Sequence, residues 1–296
     1  MKPRSFVFPA SFISVLGLLA LSGCAVAPAR PAAVPASAAA PIPPAFQFLY
    51  GSGEGGALQM EAYHALIAYV TDKAAHRPAN SVILAEGSPL VNARFVPCGD
   101  KPLAVAFDVD ETLIDNLGFE ARAAAGEPYD SARWDRWERA GASAVTVLPG
   151  ALHAFDELRA LKITPVFISN RAAANAAAAE AMLDKLGLGP AKHLDNLWLL
   201  GDVAPGSGKD PRRWKVAERY CVIAMAGDQL GDFSDRFNDP MPVPQRRQLA
   251  VHSSAGGLWG KGWFILPNPV YGTALKGDLD DVFPLDKRWT DPGGRR

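Results

Sequence analysis

Apolar residues gather along this chain in short runs, separated by longer stretches where they recur at helical spacing. The runs are Leu103–Phe107, Ile163–Ile168 with Pro165 near its start, Leu197–Leu200, Cys221–Ala226 and Trp263–Leu266. Runs without polar alternation suit strands buried on both faces, as in a parallel sheet covered by helices. Between them, residues 150–161, 172–186 and 211–219 read as helices, the last with Pro211 in its first turn, where proline is tolerated. Strand and helix therefore alternate, which predicts right-handed crossovers and a Rossmann-like three-layer α/β fold. Ahead of the first run, Leu58, Tyr63, Leu66, Ile67 and Val70 mark a helix over residues 57–73 with one core-facing side. Residues 116–142 are polar and carry Trp134 and Trp137 three apart, a segment read as a lid. Together with the early helix it is expected to form a small helical cap, from about 46–80 and 116–148.

The ends of the chain follow other rules. Lys2 and Arg4 precede an apolar stretch from Phe12 to Leu21, closed by Leu21-Ser22-Gly23-Cys24. This is the layout of an export signal, with a core short for a membrane span. Its ending resembles the bacterial lipobox, in which the cysteine is acylated, so Cys24 is the expected lipid anchor and an outer-membrane lipoprotein the expected product. Residues 24–45 are almost wholly Ala, Pro, Val and Ser, an extended tether without the bulk for a core. The folded domain is expected over 46–284, with a polar tail at 285–296.

Composition adds little: 49% hydrophobic and 21% charged residues are ordinary for a globular chain. The net charge of −1, or −3 once Lys2 and Arg4 are removed, gives no electrostatic case for nucleic acid as a partner. Cys98 and Cys221 remain after Cys24. Both precede predicted strands, at the ends away from any site, and a disulfide or two buried thiols would each suit them.

Candidate chemistry concentrates where the apolar runs end. The first run meets Asp108 and Asp110, then Glu111 and Thr112; the second meets Ser169; Asp228 and Asp232 follow the fourth; Lys209 opens the helix before it. In a parallel sheet these ends share one edge, where open α/β sheets build their sites. Singly, each has a plainer role: Ser169 as a helix N-cap, Lys209 as a solvated cation, Asp228 as a turn former. Jointly they offer three carboxylates for a hard cation, a further acid, a hydroxyl and a fixed positive charge. That set suits phosphoryl transfer, with Mg²⁺ as the cation. Two aspartates two residues apart need such a cation, a shared proton or environments that separate their pKa values. Two glycine-rich segments do not belong to the set. Gly51–Gly56 matches G-x-G-x-x-G, but no convincing βαβ unit surrounds it. The Gly206–Lys209 fragment of a P-loop has Val203 and Asp210 at positions that require glycine and Ser or Thr.

The segments FDVDETLIDN (107–116), LPGALHAF (148–155), ISNR (168–171), KDPRR (209–213), GDQLGDF (227–233) and LPNPVYG (266–272) resemble the haloacid-dehalogenase-like superfamily, and within it the class C acid phosphatases, the bacterial lipoprotein 5′-nucleotidases. The resemblance runs from about Phe46 to Leu275. It implies a haloacid-dehalogenase-like core and a Mg²⁺-dependent acid phosphatase acting through an aspartyl-phosphate. It also implies roles: Asp108 as nucleophile and metal ligand; Asp110 as proton donor and acceptor with its carbonyl on the metal; Ser169, Lys209 and Thr112 on the phosphoryl oxygens; Asp228 on the metal; Asp232 in support. Gln229 and Gly231 stand where that family often has Asn and Asp. Nucleoside 5′-monophosphates are the implied substrates, with Phe119, Trp134 and Tyr271 as candidates to stack on the base. A phosphotransferase using the same intermediate, or a non-catalytic surface lipoprotein, are the competing expectations.

Overall fold

The computed structural model describes residues 41–293. The signal segment, Cys24, the tether as far as residue 40 and residues 294–296 lie outside the described residues. Two helices open the fold, α1 (Pro44–Gly51) and α2 (Gly53–Ala75), hinged at Ser52, whose hydroxyl accepts the Gly55 N–H at 2.9 Å. A β hairpin follows, β1 (Asn80–Leu84) and β2 (Phe95–Pro97), and then β3 (Leu103–Phe107). Next come β4 (Ile114–Asp115), α3 (Leu117–Ala124), α4 (Ser131–Ala140) and β5 (Thr146–Val147). The chain continues through α5 (Ala151–Ala160), β6 (Thr164–Ala172), α6 (Ala176–Lys185) and β7 (Leu197–Leu200). It closes with α7 (Asp210–Arg219), β8 (Cys221–Gly227), α8 (Val243–His252), β9 (Trp263–Ile265) and the short α9 (Leu279–Val282).

The five strands predicted from apolar runs form one parallel sheet in the order β7-β6-β3-β8-β9. The chain lays β6 and β7 on one side of β3, then returns to place β8 and β9 on the other. The order reverses between β3 and β8, the point at which open α/β sheets leave a crevice beyond their strand ends. Side chains alternate across β3: Val105 and Phe107 enter the core shared with Tyr63, Leu66 and Phe155, while Ala104 and Ala106 enter the core shared with Val216, Phe237 and Trp263. Helices α2 and α5 thus cover one face, with α7 and the hairpin on the other, giving the three expected layers. Phe155 packs between Phe107 and Phe167, with ring centroids 5.1 and 5.9 Å away. Each such buried side chain contributes roughly 1.5–3 kcal/mol.

Three details differ from the sequence reading. The early helix α2 packs on α5, β8 and β9 as part of the core layer, instead of joining the 116–148 insert in a cap. Strand β6 continues beyond Ile168 to Ala172, where it pairs with Leu200. The β1–β2 hairpin lies beside β8, fixed by the Ser81 hydroxyl donating to the Val222 carbonyl at 2.9 Å. Cys98 and Cys221, left open above, form a disulfide at the amino ends of β3 and β8, where Leu103 pairs with Cys221. The insert is gathered at its base by β4 and β5, which pair Ile114 with Val147 and Asp115 with Thr146. Among the described residues no helix is long and apolar enough to cross a membrane.

Candidate active site

The crevice is built by loops leaving β3, β6 and β8. Asp108 follows β3 directly, its N–H donating to the Ala226 carbonyl of β8 at 2.9 Å. The chain then turns tightly: Glu111 adopts the left-handed region (φ 51°), and Leu113 N–H bonds back to Val109 O at 2.8 Å. Asp228 and Asp232 follow β8. Gly227 permits this approach, because a Cβ there would stand 2.3 Å from that of Asp232. Lys209 occupies the N-cap position of α7.

These parts meet. Lys209 Nζ lies 2.5 Å from Asp108 Oδ1 and 2.6 Å from Asp232 Oδ1, and the three groups are nearly sealed from solvent. Carboxylate oxygens of Asp108, Asp228 and Asp232 lie within 4.8 Å of one another. Asp228 Oδ2 is oriented by Asn268 Nδ2 at 2.7 Å and Gln229 Nε2 at 3.0 Å; Asp232 Oδ2 receives the Gln229 N–H at 2.8 Å. Burial pushes the Asp108 carboxyl up to about 6 against the pull of Lys209, and the charges of Asp232 and Asp110 add to the rise. Asp228 is raised well above the usual range by burial and then by Asp232 and Asp108. Burial alone would lower the Lys209 ammonium, but the two carboxylates outweigh it and hold it above its ordinary value. Three ionised carboxylates and one ammonium leave two negative charges, which one divalent ion balances. Hard oxygen donors of this kind fit Mg²⁺.

Asp110 faces a different set of partners. Arg171 Nη2 and Asn116 Nδ2 reach its Oδ1 at 2.6 and 2.9 Å, while among the described residues Oδ2 has only the Arg171 Nε at 3.2 Å. Its carboxylate is therefore held apart from the cluster, where Asp232 takes the third place. Ser169 is fully buried within β6, where the pairing with β7 shifts register, its Oγ accepting the Arg171 N–H at 3.1 Å. Thr112 requires a correction: its hydroxyl is sealed in the interior without a partner among the described residues, and its carbonyl receives the Tyr63 phenol at 2.5 Å. It braces α2 against the loop that follows β3 and does not face the crevice.

The three stacking candidates are not equivalent. Phe119 is 5% exposed, with Trp134 edge-on at 4.9 Å and the Arg133 guanidinium at 5.1 Å, so it forms the interior of the insert and offers no open face. Trp134 is half-buried and lies against Arg171, whose guanidinium is 5.6 Å from the ring centre. Tyr271 retains 36% exposure while its phenol donates to Glu111. Glu111 had no expected role. Its buried carboxyl gathers the Tyr50 and Tyr271 phenols and the Asn116 amide, and burial followed by the charge of Asp110 pushes it up to about 8. Arg171, Asn116, Glu111 and Asn268 all lie inside the segments that carry the family resemblance, the one signal that could have singled them out.

Residues 57–274 match the HAD superfamily, subfamily IIIB (acid phosphatase). The fold is similar to that of the class C acid phosphatase from Bacillus anthracis, at a TM-score of 0.63 and 25% identity over 78% of this chain and 84% of that one. A second structure, of the class C acid phosphatase from the same organism with tungstate bound, aligns at a TM-score of 0.61 over 83% of this chain and 95% of that one; at 22% identity it bears on the fold alone. No curated protein matches the chain. With the family match spanning most of the domain and the carboxylates gathered at the switch point of its sheet, the chain belongs to the HAD-superfamily IIIB acid phosphatases and is a phosphomonoester hydrolase.

Proposed function

We propose that the chain hydrolyses nucleoside 5′-monophosphates through an aspartyl-phosphate on Asp108, with Mg²⁺ as its cofactor, at the cell envelope to which an acylated Cys24 anchors it. The observation that carries the chemistry is the Asp108–Asp228–Asp232 cluster closed by Lys209. An Asp108 oxygen attacks phosphorus and the bond to the leaving oxygen breaks. Asp110, through its less encumbered Oδ2, gives that alkoxide a proton. A water then loses a proton to Asp110 and attacks the phosphoryl group, releasing phosphate and restoring Asp108. Dividing a very slow hydrolysis into two displacements lowers the barrier of each. Lys209 and Ser169 hold the phosphoryl oxygens, and Asp108, Asp228 and Asp232 would hold Mg²⁺, with the Asp110 carbonyl as a further donor. Bound there, the ion supplies neutralisation of phosphoryl charge. For the nucleotide, the support is the Tyr271 ring, the most open of the aromatic candidates around the crevice. Export and anchoring are supported by the Leu21–Cys24 sequence.

The test is a panel of phosphomonoesters assayed for phosphate release and for transfer to added alcohols, with and without Mg²⁺, on the parent chain and Asp108→Asn. The expected result is Mg²⁺-dependent release, strongest for nucleoside 5′-monophosphates and lost in the variant. Near-normal turnover by Asp108→Asn would refute the nucleophile, and predominant transfer would move the reading to a phosphotransferase.

A further inference from the structure

Arg213 is 1% exposed and lies behind the carboxylate cluster. Its Nε and Nη2 grip Asp210 Oδ1 at 3.0 and 2.6 Å, and Nη2 also reaches Asp235 Oδ1 at 3.0 Å. Its Nη1 donates to the carbonyls of Gly231 and Asp232, both at 2.9 Å. The two aspartates bind each other's segments in return. The Asp235 carboxylate receives the N–H groups of Lys209 and Asp210, each at 2.8 Å, and Asp210 Oδ2 receives the Asp235 N–H at 3.2 Å. One guanidinium and two carboxylates thus fasten the first turn of α7 to the turn carrying Asp232.

A buried guanidinium is costly unless its donors are used in a fork of this kind. Here every bond it makes ends on one of the two segments whose side chains meet in the crevice, Lys209 and Asp232, 2.6 Å apart. Gly208 is fitted to the same arrangement from outside. It is exposed, yet a Cβ there would stand 2.7 Å from Asp235 Oδ2 and displace the carboxylate that holds Lys209 in place.

We propose that Arg213, with Asp210 and Asp235, is a positioning clasp that acts through Lys209 and Asp232, setting where the Lys209 ammonium stands relative to Asp108. The inference rests on the reading of Lys209 as a phosphate-holding group. Charge placed for a transition state loses its effect when it moves by about an ångström, at a cost of about 100-fold in rate.

The experiment uses the full chain and three variants: Asp235→Asn, Gly208→Ala and Arg213→Lys, which keeps the charge and loses the fork. On nitrophenyl phosphate at saturating Mg²⁺, kcat is expected to fall by about 10- to 100-fold with KM within about threefold. Cooperative melting is retained. In metal-free protein, the rate of Lys209 acylation, followed by mass spectrometry, is expected to rise several-fold, since the ammonium is no longer held between its carboxylates. Folded Asp235→Asn and Gly208→Ala proteins with kcat within about twofold of the parent would overturn the clasp, as would a loss of kcat with Lys209 labelling unchanged. If Arg213→Lys does not fold, the other two variants decide. Retained activity in Asp108→Asn would sink the phosphatase mechanism instead, and the labelling of Lys209 would still test the clasp on its own.

Discussion

Tyr271 offers the sharpest test of substrate choice, because its ring and its phenol have separable tasks. The phenol donates to buried Glu111, and the backbone is held by Gln229 Nε2 on its carbonyl at 3.2 Å and by Asn268 Oδ1 on its N–H at 3.3 Å. Gly272 completes the fit: its φ is 103°, and a Cβ there would meet the Gln229 side chain at 2.3 Å. The ring is therefore fixed before substrate arrives and costs little further ordering on binding. Stacking a base on such a ring is worth about 1–3 kcal/mol, or about 5- to 150-fold in kcat/KM. Glycerol phosphate has no ring to stack, so the ratio of kcat/KM for a nucleoside 5′-monophosphate to that for glycerol phosphate isolates the effect. Tyr271→Ala should lower this ratio by about that factor. Tyr271→Phe should leave it within about twofold, because the ring stays, while losing about 0.5–1.5 kcal/mol of stability from the missing bond to the Glu111 carboxyl. An unchanged ratio in Tyr271→Ala would refute stacking, and equal losses in both variants would assign the effect to the phenol.

Other consequences are independent of the substrate. Asp110→Asn should slow the first-turnover release of alcohol from alkyl phosphates by about 10²–10⁴-fold and that of nitrophenolate far less, since nitrophenolate leaves without a proton, while later turnovers slow for both because Asp110 also activates the water; equal first-turnover losses would remove Asp110 from the acid role. Burial pushes the Asp115 carboxyl up to about 6, and its Oδ1 is sealed without a partner among the described residues. Below pH 3.8 it is neutral whether folded or unfolded; between 3.8 and 6 the unfolded chain ionises first and stability falls; above 6 the penalty is constant. Asp115→Asn should therefore gain on the parent between pH 4 and pH 7 by about 1–2 kcal/mol after allowance for partial exposure, read by urea unfolding at both pH values, and a pH-independent difference would contradict it. The Cys98–Cys221 bridge spans 123 residues and lies at the far end of the strands from the carboxylates. Its reduction should lower stability by about 2–5 kcal/mol while leaving kcat unchanged at temperatures where the protein stays folded; two free thiols in unreduced, unfolded protein would contradict the pairing.

The strands were legible because a segment buried on both faces cannot hide its apolar run, and the carboxylates because they stand where those runs stop. β6 was cut short at Ile168: Ser169, Asn170 and Arg171 look like an ending, and only pairing with Leu200 carries the strand on. Which partner a helix face meets is not written in its periodicity, so α2 could be given an apolar side but not the sheet it covers. The same limit applies to the cluster. The sequence reading sets Asp110 on the metal through its carbonyl and Asp232 in support, whereas the Asp232 carboxylate stands with those of Asp108 and Asp228, and the Arg171 fork holds the Asp110 side chain. Thr112 and Phe119 adjoin functional positions but turn inward. Arg213 was hardest to foresee, since in sequence a buried guanidinium looks like any solvated cation.

The two-stranded neck formed by β4 and β5 brings the start and end of the insert side by side, with Leu148 N–H closing onto Leu113 O at 3.0 Å. A segment that leaves and returns at neighbouring points can change length at little entropic cost to the body that carries it. Residues 117–145 thus leave and return at one point, and beyond the neck they are tied to the body by Glu138, which accepts the Ala172 N–H at 3.0 Å and the Asn175 amide at 2.7 Å. An exchange of this segment would therefore have to keep Asn116, which reaches Asp110 and Glu111 just inside the neck, and to replace what Trp137 and Glu138 supply from outside it.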